Sequence, residues 1–162
     1  MTLLTEKADL LAVIDYVKKR PYVDSARISL LGCSQGGFVS ALVAKELQGV
    51  IENLILFYPA LCIPDDARQG KMMFFKFDPA NIPDLLGRFP MKLGGKYAQC
   101  VIHMNSFKEI AGYKGRTLYL HGTADKIVNI SYARAAKELY PDWKTLSVLS
   151  IREMISWARL RR

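Results

Sequence analysis

The sequence has few cysteines, no long hydrophobic run and no extended block of like charges. Its three cysteines, Cys33, Cys62 and Cys100, are odd in number and widely spaced, and no Cys-x-x-Cys occurs. This pattern argues against a disulfide framework and a zinc site, so we expect reduced thiols. The longest apolar stretch, residues 54–63, is about half a membrane span and contains a proline. The sequence therefore predicts no transmembrane segment.

A secretory signal is also missing from the first residues. Glu6, Lys7 and Asp9 interrupt any apolar core of a signal peptide, and no small-residue cleavage site follows. We therefore expect a cytoplasmic protein. With 162 residues, of which 51% are hydrophobic and 23% charged, the chain fits one globular domain with a sizeable core.

The net charge of +8 raises the alternative of an anionic partner such as nucleic acid. Residues 150–162, which hold four arginines and one glutamate, account for +3 of this charge. The rest is spread thinly, and clusters such as residues 18–20 are typical of solvated helix ends. We therefore predict neither a nucleic-acid partner nor a membrane partner.

The most informative stretch is the hexapeptide Gly32-Cys33-Ser34-Gln35-Gly36-Gly37, which separates an apolar run from a helical pattern. The run at residues 28–31 predicts a strand that is buried on both faces of a parallel sheet. Gly32 and Gly36 flank Ser34, where a sharp strand-to-helix reversal leaves no room for side chains. Such a turn lifts the Ser34 hydroxyl clear of the sheet and aims the first helical N–H groups at its ligand. The pattern predicts a nucleophilic serine.

Two other interpretations of this stretch have to be weighed. The first is an ordinary loop, because glycines after a strand often mark only a loop and Gly-x-Ser-x-Gly is a short pattern. A phosphate-binding loop is excluded because neither Lys-Ser/Thr nor a full Gly-x-Gly-x-x-Gly follows the strand. Cys33 adjoins the proposed nucleophile, but its place beside the apex predicts a side chain that packs in the core.

Strands and helices alternate on both sides of this turn. A strand, a helix and a second strand in succession predict parallel pairing with a right-handed crossover. The predicted elements besides the turn are a helix at residues 3–17 that ends before Pro21, strands at 53–58, 116–120 and 145–149, a helix capped by Ser131, and a final helix at 151–158.

Residues 60–112 form an insertion that is far longer than a connection between strands requires. Prolines and glycines break it into short pieces, among which Met and Phe residues supply much apolar surface. We favour a cap or lid over the strand ends, and the alternative is an additional set of core helices.

Asp125 follows the predicted strand at residues 116–120 and lies in a loop just beyond its end. In parallel α/β sheets, ligands and catalytic groups gather at this edge. Asp125 and Ser34 are therefore predicted to share one edge of the sheet.

Taken together, residues 32–37 and the segment Leu120-His121-Gly122-Thr123-Ala124-Asp125-Lys126-Ile127-Val128 resemble the α/β-hydrolase superfamily. Residues 77–83 and 93–97 further resemble the feruloyl (cinnamoyl) esterase branch of bacterial carboxylesterases. The resemblance covers residues 1 to about 149 and implies an α/β class with a partial α/β-hydrolase fold. We expect residues 1–162 to form a single domain with a mostly parallel sheet, flanking helices and an inserted cap.

The resemblance also implies roles for three residues. Ser34 matches the nucleophile that attacks an ester carbonyl and forms an acyl-enzyme. The backbone N–H of Gln35 matches an oxyanion-hole donor, and Asp125 matches the acid that orients the catalytic histidine. The implied partner is a small-molecule ester, and no metal or organic cofactor is implied.

The sequence departs from the family where the catalytic histidine belongs, in a loop after the last strand. No histidine follows His121, which matches a structural histidine, and we expect His103 to be a partly buried cap residue. Residues 150–162 resemble an unrelated tail, as a frameshift or truncation would produce, and the family's first strands would precede Met1. We therefore expect a fragment with a bare sheet edge through which copies associate.

Two functions follow from these residues. The first is a serine carboxylesterase, impaired because it lacks the histidine. The second is a non-catalytic hydrolase-fold remnant that binds a small ligand or a protein.

Overall fold

The computed structural model describes residues 1–88, 90–140 and 143–147, and the side chains of all of these except Met91 and residues 143–147. The helices are α1 (Leu3–Lys18), α2 (Ser34–Glu46), α3 (Ile63–Arg68), α4 (Gly95–Val101), α5 (Ser106–Ile110) and α6 (Ile130–Lys137). The strands are β1 (Ile28–Cys33), β2 (Ile51–Phe57), β3 (Lys71–Met72), β4 (Phe75–Lys76), β5 (Leu85–Arg88), β6 (Met91–Gly94), β7 (Arg116–Leu120) and β8 (Trp143–Ser147).

The main sheet has four parallel strands in the order β1-β2-β7-β8. Because each connection contains a helix, successive strands return in the same direction, and the predicted parallel pairing is confirmed. The strand predicted at residues 116–120 coincides with β7, whereas β2 and β8 each begin two residues before their predicted starts. The final helix predicted at residues 151–158 lies outside the described residues.

One face of this sheet packs against α2. Residues 37–44 of α2 are all buried, and Phe38 and Val43 are fully so. Opposite them, Leu30 pairs with Leu54, and Leu54 pairs with Thr117, in a row of buried side chains that crosses three strands. The apolar composition of α2 on all sides fits its position inside the core.

The opposite face of the sheet carries exposed apolar side chains. Leu31, Ile55 and Leu118 are paired across β1, β2 and β7, so their side chains point to the same side. Leu31 is 61% exposed and Leu118 is 37% exposed. The prediction that residues 28–31 are buried on both faces is therefore wrong, because burial alternates along β1. The predicted core position of Cys33 is wrong for the same reason, since Cys33 is exposed.

Helix α1 packs against α2 and α4. Thr2 caps it, since the Thr2 side chain accepts a hydrogen bond from the N–H of Thr5 while the Thr5 hydroxyl accepts one from the N–H of Thr2. Leu3 and Ile14 lie on the inner side of α1 and are buried. As predicted, the helix ends before Pro21.

The insertion at residues 60–112 contains both core helices and small hairpins. Leu61, Tyr97, Val101 and Ile110 are fully or nearly fully buried in the main core. Two antiparallel pairs, β3 with β4 and β5 with β6, form separate two-stranded sheets. The helical part of the insertion therefore stabilises the domain, while its hairpins supply exposed surface. Whether the insertion acts as a lid stays a prediction.

The helix after β7 begins earlier than predicted. Asn129, and not Ser131, is the N-cap of α6, and its side-chain oxygen accepts a hydrogen bond of 2.9 Å from the N–H of Ser131. Both residue types cap helices well, and they stand two positions apart. Within the described residues, no helix combines the length and the apolar character needed to cross a bilayer.

Candidate active site

Ser34 occupies a sharp turn between β1 and α2. It is the first residue of α2 and has a φ of 51°, in the left-handed region that few non-glycine residues adopt. Its side chain is exposed. A strained serine at the junction of a strand and a helix is the geometry that a nucleophile elbow requires.

The glycines around Ser34 let β1 and α2 approach each other closely. A Cβ on Gly32 would collide with the carbonyl oxygen of Gly36 and would lie 2.6 Å from Oγ of Ser40. A Cβ on Gly37 would lie 2.8 Å from Cβ of Pro59, whereas one on Gly36 would meet nothing within 4 Å. The predicted lack of room is therefore correct at Gly32 and wrong at Gly36, where the helix faces open space.

The N-terminus of α2 keeps its donors available. Its N-cap residue, Cys33, makes no side-chain capping bond, and the first N–H groups of a helix have no partner within it. The N–H of Gln35 is one of these groups. The Gln35 side chain donates from Nε2 to both carboxylate oxygens of Glu6, at 2.7 and 2.6 Å, and so ties the turn to α1. The carbonyl oxygen of Ser34 accepts from the N–H of Ala60 at 2.8 Å.

A mainly apolar cavity of about 200 Å³ opens beside Ser34. Its walls come from the Ser34 turn, from α3, from the two hairpins and α4, and from the loop after β7. The lining residues include Ser34, Gln35, Cys62, Asp66, Met73, Lys92, Tyr97, Ile127 and Val128.

Few polar groups face this cavity. Tyr97 is buried, and its hydroxyl has no hydrogen-bond partner among the described residues. Burial, followed by the nearby charge of Glu6, raises the pKa of Tyr97, so this hydroxyl remains a neutral donor. Burial, together with the Asp66 carboxylate, raises the pKa of the Cys62 thiol to about 12, which keeps Cys62 protonated and unreactive. Tyr97 therefore contributes to the wall of the cavity a buried, neutral hydroxyl without a partner among the described residues.

Asp125 lies in the loop after β7, as predicted, and its carboxylate faces that loop. Its Oδ1 accepts hydrogen bonds from the N–H groups of Ile127 at 2.8 Å and Val128 at 3.1 Å. Ile127 and Val128 line the cavity of Ser34, whereas Asp125 is not among its lining residues. The structure thus brings Ser34, Gln35 and the Asp125 loop to one cavity, without placing the Asp125 carboxylate in its wall.

Neither described histidine is placed to serve as the base for Ser34. His121 is buried, and its Nε2–H donates to the carbonyl oxygen of Val128 at 2.9 Å. The same Nε2 is 3.5 Å from Oδ2 of Asp125, so the buried His121 side chain contacts two residues of the loop after β7 and stabilises that loop. His103 lies in the turn after α4 and is exposed, so the prediction that it is partly buried is wrong.

Three site residues were missed by the sequence interpretation. Glu6 was noted only as a charge that interrupts an apolar run, and Asp66 lay in no motif. Tyr97 lay in the segment 93–97 that resembles the esterase branch, but no role was assigned to its hydroxyl. An unpaired buried hydroxyl becomes visible only when the fold brings α4 beside the Ser34 turn. Within the described residues, no group of three or more His, Cys, Asp or Glu side chains could hold a metal ion.

Comparison with solved structures relates this geometry to known proteins. Est1E from Butyrivibrio proteoclasticus, solved with ferulic acid bound, superposes with a TM-score of 0.80 at 35% identity, over 86% of this chain and 56% of Est1E. MGS-MChE2, an alpha/beta hydrolase enzyme from a lagoon-sediment metagenome, superposes with a TM-score of 0.58 at 18% identity, over 87% of this chain and 56% of that chain. The chain has the α/β-hydrolase fold. The predicted fold class is thus confirmed, and so is the resemblance to the feruloyl esterase branch.

Sequence comparison also finds similarity to proteins with peptidase names. Residues 5–50 match the model of the prolyl oligopeptidase family. A curated relative, inactive dipeptidyl peptidase 10 of Rattus norvegicus, is 40% identical over 130 residues, which are 79% of this chain and 14% of that protein. The chain therefore spans a small part of its curated relatives and somewhat more than half of Est1E. Fold and family together relate it to the serine hydrolases.

Proposed function

We propose that this chain carries the nucleophile and the acyl-binding cavity of a serine carboxylesterase. The observation that carries the proposal is Ser34, held with positive φ at the N-terminus of α2 in the wall of an apolar cavity. In the proposed reaction, Oγ of Ser34 attacks the ester carbonyl, the alcohol leaves with a proton, and water hydrolyses the acyl-enzyme. The free N–H of Gln35 stabilises the negative charge on the carbonyl oxygen. Asp125 is proposed as the acid that would orient a histidine.

The proposed substrate class is an ester of a small or aromatic acid, including feruloyl and cinnamoyl esters. The cavity is apolar and of a size for one aromatic ring with a short side chain. The unpaired Tyr97 hydroxyl and the Asp66 carboxylate provide hydrogen-bonding groups for a phenolic hydroxyl. The similarity to Est1E, which binds ferulic acid, supports this assignment.

The base is the part of the mechanism that the described residues do not supply. Removing the catalytic histidine of a serine hydrolase typically costs on the order of a millionfold in turnover. We therefore propose that the isolated chain is a very weak esterase. A cytoplasmic location is part of the proposal, supported by the three free cysteines.

Chemical rescue tests the proposal. Imidazole supplied in solution should take the place of the missing base and accelerate the hydrolysis of p-nitrophenyl acetate by the native chain. The control is Ser34→Ala, which leaves only the background reaction of imidazole. A fluorophosphonate probe should label the native chain at Ser34, as measured by mass spectrometry of the modified peptide. Equal rates for both proteins and no labelling of folded protein would refute the esterase proposal.

The alternative function is a non-catalytic hydrolase-fold module that binds a small ligand or a protein. It is favoured by the positions of His103 and His121 and by the similarity to inactive dipeptidyl peptidase 10. Among the described strands, β1 pairs only with β2, and it lacks the charges and prolines that protect sheet edges. We propose that copies associate through this edge. Sedimentation velocity should detect a concentration-dependent dimer that Leu31→Lys abolishes, and a monomer at all concentrations would contradict it.

A further inference from the structure

A second depression adjoins the cavity of Ser34 and has no role in the function proposed so far. We call it the rim groove. It has a volume of about 160 Å³, and it shares Asp66, Met73 and Ile127 with the wall of the Ser34 cavity. A ligand that fills the cavity therefore has the groove next to it. The residues that line the groove are Asp66, Lys71, Met73, Phe74, Lys126 and Ile127.

The apolar part of the rim groove is unusually exposed. Met73 and Phe74 form the turn between β3 and β4, and Met73 has a φ of 53°, which a long side chain seldom adopts. Phe74 is 74% exposed, Ile127 66% and Met73 50%. Three large apolar side chains therefore lie exposed at one depression, which favours contact with a ligand over full solvation.

The charged part of the rim groove is cationic. The Asp66 carboxylate is already paired, at 3.5 Å, with the ammonium group of Lys71. Lys126 makes neither an ion pair nor a side-chain hydrogen bond with the described residues, and the neighbouring Asp125 directs Oδ1 to its own loop. Among the charged residues that line the groove, Lys126 is therefore the cation without a direct carboxylate partner in the described part of the chain.

The position of the groove suits one part of an ester. At about 200 Å³, the Ser34 cavity has room for the acyl group, so the alcohol part must lie outside it. Building on the esterase function proposed above, we propose that the rim groove binds the alcohol part of the substrate and favours an alcohol that carries a carboxylate. Met73, Phe74 and Ile127 would contact its carbon atoms, and Lys126 would bind the carboxylate.

A matched pair of esters tests this proposal by binding alone. The carboxymethyl and carbamoylmethyl esters of 4-hydroxycinnamic acid have the same shape and differ by one negative charge. Their dissociation constants are measured by isothermal titration calorimetry with the 162-residue Ser34→Ala chain, which does not consume them. We expect the carboxymethyl ester to bind about three- to fivefold more tightly at low salt, the range of a solvent-exposed ion pair. That preference should diminish at high salt.

Two lysine variants in the same background locate the effect. Lys126→Gln should abolish the preference, so that the two esters bind with about equal affinity. The affinity for the carbamoylmethyl ester should not change. Lys114→Gln removes the same charge from an exposed site outside both cavities and should leave the preference intact. Equal affinity of the Ser34→Ala chain for the two esters, or an equal loss of the preference in both lysine variants, would overturn the proposed subsite. Neither result would contradict the proposed acyl-binding cavity. Failure of both esters to bind would overturn the subsite and the esterase proposal together.

Discussion

The Ser34 turn and the Asp125 loop follow β1 and β7 at the same end of the sheet, and they use their hydrogen-bonding groups in opposite ways. At the turn, Ser34 is exposed, and the N-cap residue Cys33 leaves the first N–H groups of α2 without a side-chain partner. In the loop, Asp125 accepts two backbone hydrogen bonds, and Asn129 caps α6. The first N–H groups of α2 thus have no side-chain partner, whereas the polar groups of the Asp125 loop form hydrogen bonds within that loop. In the proposed esterase, the turn would contact the substrate and the loop would support the site.

The largest effect on stability should come from a side chain placed between β1 and α2 at Gly32. Gly32→Val places a side chain against the carbonyl of Gly36 and against Oγ of Ser40, so β1 and α2 must separate. We expect a loss of about 3 kcal/mol or more in the free energy of unfolding. Urea unfolding followed by circular dichroism measures it.

Gly36→Ala is the matched control for that variant. A Cβ at Gly36 meets nothing within 4 Å, and Gly36 lies inside α2 with no positive φ. Alanine should therefore raise the stability by up to about 1 kcal/mol, since it favours the helix over glycine. An equal loss in the two variants would contradict the assigned close approach at Gly32.

A smaller effect is expected in the Asp125 loop. Asp125→Ala removes the acceptor of two backbone N–H groups and should lower the free energy of unfolding by about 1 to 3 kcal/mol. Asp125→Asn keeps an oxygen acceptor at the same place and should lose less than about 1 kcal/mol. If both variants were as stable as the native chain, the loop would not depend on these hydrogen bonds.

The smallest effect on the free energy of unfolding is expected at the N-cap residues of α6 and α2. Asn129→Ala should cost about 1 kcal/mol, because it removes the cap of α6, and Asn129→Asp should restore it. Cys33→Ala should change the free energy of unfolding by less than about 0.5 kcal/mol, because the Cys33 side chain caps nothing and is exposed. Thermal unfolding of the three variants provides the measurement. A larger loss for Cys33→Ala than for Asn129→Ala would reverse the comparison.

The parts of the fold and site that were predictable depend on neighbours in sequence. The Ser34 turn follows from the glycines around it, and β7 follows from five consecutive residues with the expected pattern. Exposure along β1 was not predictable, because it depends on what covers each face of the sheet. The Glu6–Gln35 contact joins residues 29 positions apart, and the free hydroxyl of Tyr97 depends on the packing of the insertion. Neither leaves a local signal.

The row formed by Leu31, Ile55 and Leu118 has a consequence for calorimetry. In a parallel sheet with both faces covered, unfolding transfers two apolar surfaces to water. Here Leu31 and Leu118 are already partly hydrated in the folded chain. The heat-capacity change of unfolding should therefore be smaller than for a domain of this length with both faces covered, and its stability should vary less steeply with temperature.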